Sequence, residues 1–284
     1  MKKYEIVSDD YITVSNRRLY RIKALKSFSD IKEGDLGGYV ESYNNLSQYC
    51  ECWLYDKAKA YGNAKVFDYA RIKDYAEVFG NATVSEDAIV YENAKVFDSA
   101  DVRGSARVHG NSMVSGGATV SGKASVHGHT SIYEYAEIFG KAEASGRAIL
   151  CGNAKVCQRM YITSCVRVTT DLTKDKKMSI VAQCNLPVID NKVVAYKIVN
   201  DDLTSLYDKR FRYRVGEIAE EEYTDEDESE SCSTGLHFSH LTYWTRETTQ
   251  NTYLEAEIDL DDIVAVQEGK IRCRKAKILR SFKL

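Results

Sequence analysis

His109 and His127 are the residues whose spacing first suggests chemistry: they lie eighteen positions apart, with His129 close by. The chain between them repeats every six residues, so eighteen positions are three repeats. Stacked on neighbouring strands, the two imidazoles would sit about 4.8 Å apart, near enough to share a metal ion or pass a proton. A third ligand at matching spacing is missing, so the plainer expectation is two solvated histidines and no bound metal. Cysteines fall at positions 50, 52, 151, 157, 165, 184, 232 and 273, with no paired Cys-x-x-Cys spacing of a zinc site. A cytosolic chain keeps such residues reduced, and they read as small apolar packing residues. There is no phosphate-binding loop, serine–histidine–acid signature or nucleotide-fold glycine fingerprint, and no cofactor is expected.

What must position these residues is a repeat running from Ala58 to Val156. One column, Ala58, Ala64, Ala70 and onward to Ala154, has 17 members, of which 15 are Ala and the others are Ser112 and Thr130. Two residues later a second column runs from Ala60 through Val66, Ile72 and Val78 to Val156, and 15 of its 17 members are Val, Ile or Leu. A period of six fits neither a helix nor a plain strand, but it fits short strands joined by tight corners. β-Branched residues suit half-buried pleated positions, and the Ala column marks a cross-section with room for a methyl group only. Pairs such as Gly62–Asn63, Gly80–Asn81 and Gly152–Asn153 read as corners, because Gly and Asn tolerate positive φ.

Composition sets the outer bounds. A length of 284 residues suggests two domains. A net charge of −3 gives no basic field for bulk nucleic acid or anionic membrane. With 44% hydrophobic and 11% aromatic residues the chain can bury a core. No apolar run reaches the roughly 18 residues of a membrane helix, and Met1–Glu5 leads into charged residues rather than a signal core. The expected location is therefore the cytoplasm.

The small and aliphatic columns resemble the hexapeptide repeat of the left-handed parallel β-helix family. Three hexads make one triangular coil in that family, which implies about 5–6 coils here and a prism roughly 27 Å tall. The lead-in, with Gly34–Ser42, Asn45–Ser47 and Trp53–Asp56, is similar to a bacterial and phage branch of the family that carries a transferase label, and the likeness spans about residues 4–157. Alternation over Tyr4–Val7 and Ile12–Val14, with a turn near Ser15–Asn16, predicts strands that cap the first coil.

If residue n lies above residue n−18, the outward residues form files. Tyr61, Phe79, Phe97, Ser115 and Tyr133 make an aromatic ladder of a kind that soluble monomers rarely leave bare. Prisms of this family commonly trimerise, which makes Tyr61, Phe79, Phe97 and Tyr133 candidate interface residues. A covering domain, or simple stacking of the rings, would also explain them. Arg71, Arg103 and Arg107 are candidates for meeting a small anionic ligand, such as a signalling nucleotide, at junctions between protomers. Members with acyltransferase activity use a histidine base, for which His109 and His127 are the weak candidates, but no long inserted loop walls an acyl-donor cleft.

Beyond Val156, strand-like residues continue to Val168, and a polar stretch over 169–182 reads as a linker. The domains are thus 1–57 as an N-terminal cap, 58–168 as the β-helix and 183–284 as a small α+β domain. Within the last, a hairpin is expected at Asp190–Asn191, an element at Phe211–Gly216, and a solvated acidic run from Glu220 to Glu230. A short helix is expected near His240–Thr245, with strands at Tyr253–Ile258, Ile263–Gln267 and Arg272–Leu279. The segments Ala195–Val199, Cys232–Phe238, Leu260–Val266 and Lys270–Arg274 resemble the C-terminal region of the phage rapid-lysis B proteins over about residues 183–282. That likeness implies a phage or prophage origin and carries no reaction with it.

Gly235–Ser239 followed by Tyr243 resembles the glycine–aromatic strand of ADP-ribosyltransferases, which would make His237 and Tyr243 weak ligand-binding candidates and His237, with Glu255 or Glu257, weak catalytic ones. A buried strand with a locally bonded His237 explains the same residues. The favoured expectation is a non-catalytic, homotrimeric phage-type binding protein that takes a small anionic ligand or a host protein, interfering with a host process such as defence. An acyltransferase and an NAD-linked transferase are the alternatives.

Overall fold

A computed structural model describes residues 2–163, 165–227, 230, 233–245 and 252–284. Ser164 and Cys232, both in segments read above, lie outside the described residues. The chain divides into two compact units, 1–158 with 162–171, and 159–161 with 172–284.

The first unit is a parallel β-solenoid of about seven turns. Its walls are three parallel ladders of two-residue strands, and pairing joins residue n to n+18, as in Ile89 to Arg107 and Val90 to Val108. In each strand the second residue points inward: Val66, Val84, Val102 and Val120 are buried, as is the whole Ala column. The expected five to six coils fall short because the coil extends past the hexads at both ends. Leu36–Val40 pairs with Lys59–Ala60, Trp53–Leu54 pairs with Arg71–Ile72, and Tyr161–Ile162 and Arg167–Val168 continue two ladders.

The corners differ from the expectation in one respect. Every sixth residue from Cys50 to Gln158 has positive φ, but in the Gly–Asn pairs only the glycine does. At Gly122 (φ 66°) the demand is steric as well, since an added Cβ would lie 2.9 Å from the Gly140 backbone nitrogen. Where the position is not glycine, Asp or Glu commonly fills it, as at Asp56, Asp74, Glu92 and Asp98. Their carboxylates accept the backbone N–H eighteen residues on: Asp74 from Glu92 at 2.9 Å and Glu92 from Gly110 at 2.7 Å. A short acceptor that bonds nearby backbone offsets the cost of the left-handed conformation.

The N-terminal strands Tyr4–Val14 and Arg17–Ala24 form an antiparallel hairpin turned at Ser15 and Asn16, both with positive φ. Arg17–Ala24 then pairs with Leu36–Val40, so the hairpin extends one wall of the solenoid.

The second unit is an antiparallel sheet. Its strands run in spatial order Ile218–Glu220, Lys275–Lys283, Thr252–Asp259, Lys192–Val199, Leu236–Ser239, Lys270–Cys273 and Ile263–Gln267. Asp190 and Asn191 turn the hairpin that precedes Lys192, both with positive φ. Residues 176–182, read as linker, belong instead to a helix, Lys176–Cys184. The Asp175 side chain caps it by accepting from the Met178 N–H, and Ile180 and Cys184 pack into the sheet's core with Phe238, Leu254 and Ile271. The polar residues that suggested a linker are its exposed side. Phe211–Gly216 is not a strand and contributes a single bridge, Arg212 to Thr204.

Candidate functional site

The second unit contains a cleft of about 600 Å³, lined by Lys197, Phe211, Tyr213, His237, Tyr243 and Trp244 among others. Its origin lies in two neighbouring strands that barely pair. Lys192–Val199 and Leu236–Ser239 share one residue pair, Tyr196 with Ser239. Gly235 leads into the second strand at φ 142°, where a Cβ would meet the Arg272 side chain at 2.8 Å. His237 pairs with Arg272 on its other side, and toward Lys192–Val199 its carbonyl accepts from the Lys197 Nζ at 3.2 Å.

Lys197 occupies the inward parity of its strand, the row of Val193, Ala195 and Val199, and is only 5% exposed. Its ammonium lies 5.8 Å from the Tyr213 and Trp244 ring centroids and 5.9 Å from that of Phe238. Among the described residues no carboxylate pairs with it; the charge that acts on it is the Lys270 ammonium, because burial pushes the pKa of the nearby Cys273 thiol up and leaves it neutral. Burial, with a smaller push from Lys270, pulls its pKa down to about 8. Aromatic faces attract a cation but replace only part of its lost hydration.

His237 lies at the same end. Burial first, then the positive charges of Lys197, Lys270 and Arg272, lower its pKa to about 3, so the ring is neutral. Its Nε2 is buried and, among the described residues, has no hydrogen-bond partner. The unfolded chain takes up this proton from about pH 6.5 downward while the folded state resists until about pH 3. Stability is thus lost as pH falls through that window, by up to roughly 5 kcal/mol. Urea unfolding between pH 7 and 4 should show the gap between His237→Leu and the parent widening in favour of the variant as pH falls. Parallel curves would contradict the assignment.

The acidic run read as a solvated loop has a structural task in its described part. Arg272 is 2% exposed, and its guanidinium donates to the backbone carbonyls of Asp225 at 2.7 Å, Asp227 at 3.2 Å and Glu230. The run is drawn in because a buried guanidinium needs acceptors.

The structure brings His237 and Tyr243 together in the cleft but not Glu255. Glu255 pairs laterally with Tyr196 and accepts from the Arg280 Nε at 2.7 Å, and Glu257 accepts from Lys192 at 2.8 Å. The histidine–tyrosine–glutamate set of the NAD-linked reading is therefore not assembled there.

On the solenoid, His109 and His127 stack with centroids 4.9 Å apart, below Tyr91 at 4.5 Å from His109. His127 Nε2 meets Glu143 at 2.9 Å, and His129 is exposed. No group of three metal-ligating side chains occurs among the described residues. Arg71 and Arg107 share one file on either side of Ile89, whereas Arg103 lies on another wall, paired with Asp101 at 3.4 Å. The three arginines do not converge.

The aromatic ladder stacks as expected, with 5.0 Å between Tyr61 and Phe79 and again between Phe79 and Phe97. Its first rungs are covered by the chain's own hairpin: Tyr61 is 8% exposed and packs with Leu19 and Tyr39, and Ile12, Val14 and Phe79 join the cluster. Neither covering by the C-terminal domain nor bare stacking had anticipated this hairpin. Phe97 and Tyr133 remain half-exposed, and Tyr133 accepts from Arg167 at 2.7 Å.

No curated protein matches the chain. A family described as a domain of unknown function, DUF7666, matches residues 193–284, which hold the cleft and every strand of the sheet from Lys192–Val199 onward.

Proposed function

We propose that this is a non-catalytic binding protein whose C-terminal cleft captures a small anionic ligand carrying a planar ring. One observation supports the reading above all: a lysine buried at a cleft and, among the described residues, paired with no carboxylate. A buried ammonium held without a counter-ion costs the fold several kcal/mol, and an incoming anion is the partner that offsets this. Phe211, Tyr213, Tyr243 and Trp244 supply faces for a ring. Of the acids that also line the cleft, Asp208 is paired with Arg210 at 3.0 Å and Glu268 with Arg159 at 3.4 Å, while Glu221 acts on Tyr213 rather than on Lys197.

The solenoid is the scaffold in this proposal, left-handed by its likeness to the hexapeptide family and trimeric through the uncovered part of its aromatic ladder. Phe97→Glu with Ser115→Glu should then lower the mass in light scattering from trimer to monomer, and an unchanged mass would remove the trimer. The likeness to rapid-lysis B proteins supports a phage or prophage origin, in which withdrawing a signalling ligand would interfere with a host process such as defence.

The test is a thermal-shift screen against cyclic nucleotides, ADP-ribose derivatives and acyl-CoA. Ligand at a hundredfold excess over its Kd should add about 2.7 kcal/mol to the stability of the second unit. The gain should vanish in Lys197→Met. No shift from any of them would turn the proposal toward a host protein as partner and away from the cleft.

A further inference from the structure

We propose that the Lys197 amine forms a reversible imine with a ligand that bears an aldehyde or ketone beside its anionic group. This rests on the cleft being the ligand site, and it narrows the ligand class. The geometry carries it. The lysine stem is fixed by burial in the row of Val193, Ala195 and Val199. The Nζ has three aromatic rings around it and a backbone carbonyl as its hydrogen-bond acceptor. A lysine meant for a permanent ion pair would face a carboxylate that keeps it protonated. Here burial and Lys270 act together against the proton. A desolvated lysine beside a second cation is the arrangement that makes an amine nucleophilic near neutral pH.

The step balances without any further reactant. The unprotonated Nζ adds its lone pair to the carbonyl carbon, and the carbonyl π pair moves to oxygen. As the C=N bond forms, that oxygen leaves as water, carrying both amine hydrogens. Nothing is oxidised or reduced, and hydrolysis reverses the step. With a pKa of about 8, on the order of a tenth of the amine is unprotonated at pH 7. For an ordinary lysine the fraction is below about a thousandth. The aromatic walls would hold the ring of the ligand while the bond forms.

Pyridoxal 5′-phosphate serves as the probe, because it joins an aldehyde, a planar ring and a phosphate. One equivalent is added to the full-length protein, the adduct is reduced with borohydride, and the lysines are mapped by mass spectrometry. Lys197 should carry at least about tenfold more adduct than any other lysine, with labelling that rises around pH 8. Adduct spread evenly over other lysines, or rising only above about pH 10, overturns the proposal. The mapping uses the parent protein, so it does not depend on whether Lys197→Met folds. Pyridoxine 5′-phosphate, which lacks the aldehyde, separates the two claims by calorimetry. If it binds while the aldehyde leaves Lys197 unlabelled, the imine falls and the anion site stands. If it does not bind and Lys197 is unlabelled, both fall.

Discussion

Lys197→Met should make the second unit more stable at pH 7, by about 1–3 kcal/mol, while abolishing its ligand response. The expectation follows from what the folded state does to the amine. Its pKa falls from 10.5 to about 8 on folding, mainly through burial. At pH 7 the amine is charged in both states, so the native state bears a desolvation cost on the order of 3 kcal/mol. Between about pH 8 and 10.5 the unfolded chain holds a proton that the folded chain has released. Unfolding free energy therefore rises with pH across that window and levels off above it. Methionine has a similar length, carries no charge and packs well against Tyr213, Phe238 and Trp244. Urea unfolding followed by hydrogen exchange in Thr252–Asp259 should show the parent gaining stability from pH 8 to 10, with the variant flat and higher at pH 7. A variant less stable at pH 7 would mean that the ammonium is satisfied after all.

Ala106→Leu should unfold the middle of the solenoid. Ala106 is fully buried, as are Val90, Val108 and Val126 on the same wall. The coil is closed on three sides and its pairings repeat without a gap, so three added carbons have nowhere to go. Overpacking of this kind costs about 1–3 kcal/mol in ordinary cores, and roughly 3 kcal/mol or more is expected where the wall cannot bulge without breaking its ladder. Stability in a solenoid passes from each coil to its neighbours, so exchange protection should fall across strands 101–126 together. Lys95→Ala, on the exposed member of a strand, should change it by no more than about 0.5 kcal/mol. Equal tolerance of the two substitutions would contradict the packing described.

Much of the solenoid is legible because its contacts are periodic. A residue's environment there is set by neighbours at fixed distances along the chain, so the Ala and Val columns announce the interior directly. The corner position is only half legible: glycine shows it, whereas Asp74 and Glu92 look like ordinary surface acids until their bonds eighteen residues on are seen. The covering hairpin was foreseen as strands but not as a lid on Tyr61, because Ile12 and Val14 meet that ring only through the fold. In the second unit contacts are not periodic, and reading becomes harder. The helix Lys176–Cys184 is masked in the sequence by the two lysines that open it. Lys197 drew no separate reading, although it shares the parity of Val193, Ala195 and Val199, all apolar. That parity was the available signal. What it did not contain is the parting of two strands between Ser239 and Gly235, which alone turns a misplaced lysine into the end of a cleft.

The proposal is that the cleft holds an anion against Lys197. A crystal structure grown with the anion that gives the largest thermal shift tests it most directly. The anionic group should lie within about 3 Å of the Lys197 Nζ, with the ring against Tyr243 or Trp244. A ligand seated elsewhere, or a Lys197 side chain turned out to solvent with the cleft closed behind it, would rule out an anion site at Lys197.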